Sequence, residues 1–150
     1  MRLGVDVGTV RIGVAASDPD GILAFPVETV TTGDGDVARI AEIAREREAI
    51  RVFVGLPRTL AGGEGASAAL AEGFARRLAE LTDADVRLID ERFSTSTASR
   101  ALHSAGKSAK SQRQIIDQAA AVVILESALD VDRQGNLGTV TREIPRRGEP

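Results

Sequence analysis

The sequence has no cysteine, no tryptophan and no tyrosine among its 150 residues, and its one histidine is His103. Without cysteine there is no disulfide framework, no thiolate metal site and no thiol nucleophile. With a single histidine, a structural zinc centre is excluded as well. The aromatic complement is four phenylalanines, which leaves few candidates for stacking on exposed bases. No long uncharged apolar run is present, and Arg2 and Asp6 interrupt the N-terminus. Neither a signal peptide nor a membrane span is expected, so the reading is a soluble cytoplasmic protein with no membrane partner. A net charge of −3 argues against a coating of nucleic acid held by bulk charge.

What is present is an apolar fraction of 43%, mostly Ala, Val, Leu and Ile, enough for one core and one domain at this length. The charge is unevenly spread. Between Arg92 and Ile116 stand Arg92, Arg100, Lys107, Lys110 and Arg113 with no acid, so this window carries +5 against −8 for the rest. One basic surface on an acidic protein is a directional signal.

The first eighteen residues, MRLGVDVGTVRIGVAASD, read as two strands around a Gly-Thr turn. Leu3, Val5 and Val7 point one way; Gly4, Asp6 and Gly8 point the other. Ile12, Val14 and Ala16 alternate with Arg11, Gly13 and Ala15. The hairpin thus has an apolar face and a glycine-lined face carrying Asp6. A carboxylate there needs a metal or hydrogen-bond donors, although an aspartate that merely satisfies a turn is the plainer alternative.

Further along, Ser17 to Gly21 reads as a turn and Ile22 to Val30 as a third strand, with Pro26 requiring an edge or a bulge. A helix from Val37 to about Ala49 precedes a strand at Arg51 to Gly55. Leu56 to Arg58 leaves that strand for a glycine-rich loop, Thr59 to Gly65. A second helix, Ser67 to Leu81, leads to a fifth strand, Val86 to Asp90. Thr95 to Ser104 is expected to be helical, and a last helix runs from about Ser111 to Leu129. The expected fold is α/β: a mixed five-stranded sheet, three strands antiparallel and then two parallel, with helices on both faces. The domain is expected to span 1–130. Residues 131–150, rich in Gly, Pro and charge, are read as a flexible tail without a core role.

Three acids occupy positions that acids normally avoid: Asp6 in the first strand, Asp90 or Glu91 at the end of the fifth, and Asp117 on the inner flank of the last helix. Strand parity sends Asp90 and Glu91 to opposite faces without choosing between them. Carboxylates alone are the ligand set of Mg²⁺ or Mn²⁺, ions suited to phosphoryl chemistry. Asp18, Asp20, Asp83 and Asp85 fall in turns and are read as structural or solvated. Ser94 to Thr97 either cap a helix or contact phosphate, roles that are compatible. Arg11 and Arg92 could each clamp a phosphate. His103 is read as a solvent or nucleic-acid contact.

DVGTVRIGVAASD (Asp6 to Asp18), GLP (Gly55 to Pro57), DERFST (Asp90 to Thr95) and IDQAAAVVIL (Ile116 to Leu125) together resemble the YqgF/RuvX family of Holliday junction resolvase-like proteins and pre-16S rRNA nucleases. The similarity runs from about Leu3 to Leu129. It implies an RNase H-like fold and a metal-dependent nuclease using Mg²⁺ or Mn²⁺ on structured or branched nucleic acid, with a role in maturing the 5′ end of 16S rRNA. By motif, the resemblance makes Asp6, Glu91 and Asp117 the catalytic metal ligands, with Asp90 a partner behind them. It implies backbone contacts from Arg11, Arg92, Ser94, Thr95, Arg100, Lys107, Lys110 and Arg113. The implied partners are pre-16S rRNA or branched DNA, with the pre-30S particle as host, for a monomer or weak homodimer. Relatives that cut four-way junctions often keep two acids on the last helix. Here Asp117 is the only acid between Ser111 and Leu125, which favours simple hydrolysis over junction resolution.

Three other readings stand beside this one. A non-catalytic RNA-binding or ribosome-assembly factor would fit the acidic net charge. An actin- or sugar-kinase-like nucleotide-binding protein shares the Asp-Val-Gly-Thr hairpin, but those proteins carry two such domains. The third is an α/β domain whose acids never meet.

Overall fold

The structure is a computed structural model that describes residues 1–57, 65–90 and 109–145, with the side chains of 109–117 and 139 outside the description. Strands β1 (Arg2–Val7), β2 (Arg11–Ser17) and β3 (Ala24–Thr31) are followed by helix α1 (Asp36–Glu46) and strand β4 (Arg51–Leu56). Helix α2 (Ala66–Leu81), strand β5 (Asp85–Asp90) and the long helix α3 (Ala109–Arg133) come next. The short helix α4 (Leu137–Val140) and strand β6 (Thr141–Ile144) complete the described chain. The sheet order is β3-β2-β1-β4-β5-β6. β1, β2 and β3 form an antiparallel meander, and β1, β4 and β5 are parallel.

Strand alternation builds two cores from one sheet. Leu3, Val5, Val7, Ile12, Val14, Val52, Val54, Val86 and Leu88 pack against the apolar sides of α1 and α2, including Ile40, Phe74 and Leu78. On the other face Ala15, Phe53 and Ile89 pack against Ala121, Ile124, Leu125, Ala128 and Leu129 of α3. β3 is an edge strand with a register shift opposite Val14 and Ala15, and Pro26 sits at that shift. This is where a residue without an N–H fits a sheet.

The sheet has six strands, not the five expected. β6 pairs antiparallel with β5 and sets Ile144 opposite Val86, where it is buried. α3 continues to Arg133, and Arg142 of β6 reaches Glu72 of α2 at 3.1 Å. Residues 131–144 therefore belong to the folded unit, against the expectation of a coreless tail. A four-residue strand holding one large apolar side chain leaves no periodic pattern; it forms because β5 offers an open edge. The expected helix at 95–104 and the loop at 59–64 lie outside the described residues.

Candidate functional site

Asp6 is partly buried near the end of β1, and alternation turns it with Gly4 to the α3 face. It stands opposite Gly13 on β2, and Gly13 stands opposite Thr29 on β3. On its other side Val5 pairs with Val54, so the next residue of β4, Gly55, lies beside Asp6, and Gly55 pairs with Ile89. Asp6 therefore has a glycine on each side in its row of the sheet. No neighbouring strand lays a side chain against it from those positions.

The course of α3 over this row is fixed by contacts. Asp132 near its C-terminus meets Arg2 at 3.2 Å and Arg51 at 3.3 Å. Farther back, α3 lies almost on the backbone of β1: a Cβ at Gly4 would stand 2.7 Å from Leu125 Cβ and 2.8 Å from the Ala121 carbonyl oxygen. Only glycine permits that approach. Farther back again, Gln118 Nε2 donates to Thr29 Oγ1 at 2.8 Å. The helix runs antiparallel to β1, from the Asp6 row at Gln118 to Arg2 at Asp132. Position 117, one turn before Ala121 and next to Gln118, lies at the Asp6 end of the sheet.

The turn after Asp6 is held from two sides. Gly8 N–H donates to the Arg11 carbonyl at 3.0 Å, and a Cβ at Gly8 would come within 2.5 Å of that oxygen. Thr32 donates its hydroxyl to the Gly8 carbonyl at 2.8 Å and its N–H to the Val10 carbonyl at 3.0 Å. Arg11, partly buried, shares the α3 face with Gly13, one pleat farther along β2. Asp90 pairs with Leu56 and shares the opposite face with Leu88. It is thus separated by the sheet from Asp6.

Of the other candidates, Glu91, Arg92, Ser94, Thr95, Arg100, His103 and Lys107 lie outside the described residues. Lys110, Arg113 and Asp117 are placed by backbone only, in α3. Among the described residues no three acidic or imidazole side chains come together as a metal cluster. Asp6 is the one member of the expected triad whose side chain is described. Its oxygen donors suit a hard divalent cation in their chemistry. Sequence reasoning did not single out Thr29 and Gln118. They are 89 positions apart, and nothing in the local pattern of either signals the other.

The opposite end of the same face is closed by ion pairs. Asp85 Oδ2 accepts from Arg51 Nε at 2.8 Å and Arg87 Nε at 2.7 Å. Burial pushes the Asp85 carboxyl up, but hydrogen bonds from Arg87 and Arg51, and their charges, outweigh this and hold it below 3.8. Asp85 is therefore a strand residue rather than the turn residue expected, and of the structural or solvated roles expected it takes the structural one, with two arginine partners. Asp18 does take a turn role: Oδ1 accepts from Ile22 N–H at 2.7 Å and Leu23 N–H at 2.8 Å, and the Leu23 bond leads the causes that lower its pKa. No helix among the described residues is long and apolar enough to cross a membrane.

Comparison with known proteins is consistent with this geometry. The family model described as "RuvX: Holliday junction resolvase" matches residues 1–131. A protein of Nocardia farcinica named "Putative pre-16S rRNA nuclease" is 59% identical over 138 residues, covering 86% of this chain and 77% of the relative. A Streptomyces coelicolor protein of the same name is 53% identical over 135 residues, covering 88% and 81%. Among solved structures, Thermus thermophilus RuvC superposes with a TM-score of 0.57 at 20% identity, over 95% of this chain and 99% of that one. RuvC from the same organism in complex with a Holliday junction substrate gives 0.58 at 17% identity, over 95% and 98%. These two establish a shared RuvC-like fold.

Proposed function

The chain belongs to the RuvX family, and from that premise we propose that it is a divalent-metal-dependent nuclease that processes the 5′ end of pre-16S rRNA. Relatives sharing more than half of their aligned residues with it are named for pre-16S rRNA nuclease activity. The observation that carries the reading is the setting of Asp6. Its carboxylate is placed between two glycines on the face that α3 crosses, at the same end of the sheet as position 117.

We assign Asp6, Glu91 and Asp117 as the ligands of Mg²⁺ or Mn²⁺. Asp90 turns to the other face, which leaves Glu91 as the acid of the DER motif for this role. The bound cation supplies activation of water and neutralisation of charge on the phosphate and the leaving oxygen. Arg11 stands on the same face and binds a substrate phosphate. Arg92, Ser94, Thr95, Arg100, Lys107, Lys110 and Arg113 form the basic surface that holds backbone without reading bases. The net charge of −3 keeps affinity for free RNA low, so the pre-30S particle is the natural setting for a protein acting as a monomer or weak homodimer.

The test is cleavage of a 5′-extended 16S rRNA precursor mimic with Mn²⁺ or Mg²⁺, comparing the parent with Asp6→Asn and Asp117→Asn after each is shown to be folded. Activity in the parent that is lost in both variants is expected. Equal products from all three would mean a contaminating nuclease. A folded parent that binds the RNA and never cuts would favour an assembly factor instead.

A further inference from the structure

We propose that Thr29 and Gln118 form a positioning pair that sets the height and rotation of α3 over the Asp6 row, and so brings the residue at position 117 to the cation. The proposal rests on the carboxylate site described above. Gln118 Nε2 donates to Thr29 Oγ1 at 2.8 Å, and both side chains are partly buried. Thr29 belongs to the row that runs Thr29, Gly13, Asp6 across three strands. Gln118 is the residue next to Asp117. The bond therefore joins the row of one proposed ligand to the immediate neighbour of another.

The bond differs in kind from the apolar packing of α3. Ala121, Ile124, Leu125, Ala128 and Leu129 pack against the sheet on the C-terminal side of Gln118. Small and aliphatic side chains on Gly4 hold the helix close but tolerate rotation and sliding, because dispersion has little directionality. An amide-to-hydroxyl bond has a preferred distance and angle. Placed one residue from position 117, it adds a directional tie between α3 and the row of Asp6. Partners of this kind, behind the ligands of a metal, alter its affinity by 10- to 100-fold when removed.

The experiment is a Mn²⁺ titration of full-length parent, Gln118→Met, Thr29→Val, the double variant and Thr29→Ser. Bound Mn²⁺ is counted by electron paramagnetic resonance, and the Mn²⁺ concentration for half-maximal cleavage is measured alongside. Gln118→Met keeps side-chain length without the amide, and Thr29→Val keeps shape without the hydroxyl. Each is expected to weaken Mn²⁺ binding and half-activation by about 10-fold or more. The double variant is expected to fall short of the sum of the two singles, since both singles break the shared bond, and Thr29→Ser is expected to match the parent. Unchanged Mn²⁺ affinity in both single variants, whatever happens to their melting temperature, would make the pair merely structural and overturn the proposal. Asp6→Asn is titrated in parallel. If it binds Mn²⁺ as tightly as the parent, the carboxylate site itself is wrong, and the pair has nothing to position.

Discussion

The α3 face of the sheet carries aspartates at both ends, and the two ends treat them in opposite ways. Where β1, β4 and β5 begin, Asp85 and Asp132 are met by Arg2, Arg51 and Arg87, all with most of their side-chain surface covered. Where those strands finish, Asp6 stands between Gly13 and Gly55. A carboxylate closed by arginines inside the chain contributes to the fold and is lost to ligands. A carboxylate flanked by glycines meets no side chain from the paired positions of the neighbouring strands. The second kind sits at the carboxyl ends of the parallel strands, the usual ligand side of open α/β sheets.

The sharpest way to break this comparison is to neutralise one aspartate at each end. Asp6→Asn is expected to cut cleavage by about 100-fold or more in a protein that is still folded. Asp85→Asn is expected to do the reverse: cleavage at 25 °C unchanged, and stability lower by about 1–2 kcal/mol, because Arg51 and Arg87 lose a charged acceptor. Paired urea titrations and cleavage rates separate the two. A stable, inactive Asp85→Asn would collapse the distinction.

Between the two ends lies Gly4, where the helix rests on the strand. Gly4→Ala puts a methyl 2.7 Å from Leu125 Cβ and 2.8 Å from a backbone oxygen, and backbone cannot give way as a side-chain tip can. A loss of about 1–3 kcal/mol is expected from overpacking. Cleavage should also fall at temperatures where the variant is folded, because lifting α3 moves position 117 away from Asp6. A destabilised variant with parental rates would show that the spacing at Gly4 does not reach the site.

Acid titration sharpens the contrast further. The folded-state pKa of Asp85 lies below its ordinary 3.8, so unfolding at low pH takes up a proton that the folded state resists. Its contribution is fully present above about 3.8 and is lost as pH falls through the lower folded value. Asp85→Asn should therefore flatten the acid limb of the stability curve in that range and leave the curve parallel to the parent near neutrality.

Much of this was legible in the sequence because it repeats with period 2 or 3.6. The glycine-lined face carrying Asp6, the meander, the two crossover helices and the inner side of α3 all follow from alternation and helical spacing. Pro26 gave away the edge strand. β6 was missed because Thr141 to Ile144 offers one large apolar residue and two charges. Asp85 could be read only as structural or solvated because its partners, Arg51 and Arg87, come from strand geometry and have no local signature. The Thr29–Gln118 bond was invisible for the same reason. Strand parity left Asp90 and Glu91 on opposite faces without choosing between them, and the family resemblance made the choice.

The smallest expected effect lies on α3 itself, where Asp130 and Asp132 are two residues apart. Asp132 Oδ2 takes Arg2 and Arg51, with 23% of its side chain exposed; Asp130 pairs with Arg133 across one helical turn, with 67% exposed. Both would count as salt bridges by distance, the Asp130 pair being the shorter at 2.6 Å. Water and salt screen the outer pair, and two long side chains lose freedom to form it, so Asp130→Ala should cost about 0.5 kcal/mol or less. Asp132→Ala leaves two mostly covered arginines without their shared acceptor and should cost more, about 1–2 kcal/mol. Repeating both in 1 M salt should erase what remains of the Asp130 effect and preserve most of the Asp132 effect. If the two variants prove equal, exposure is not what separates the closed end of this face from its surface, and the reading of Asp6 by its surroundings loses its closest internal control.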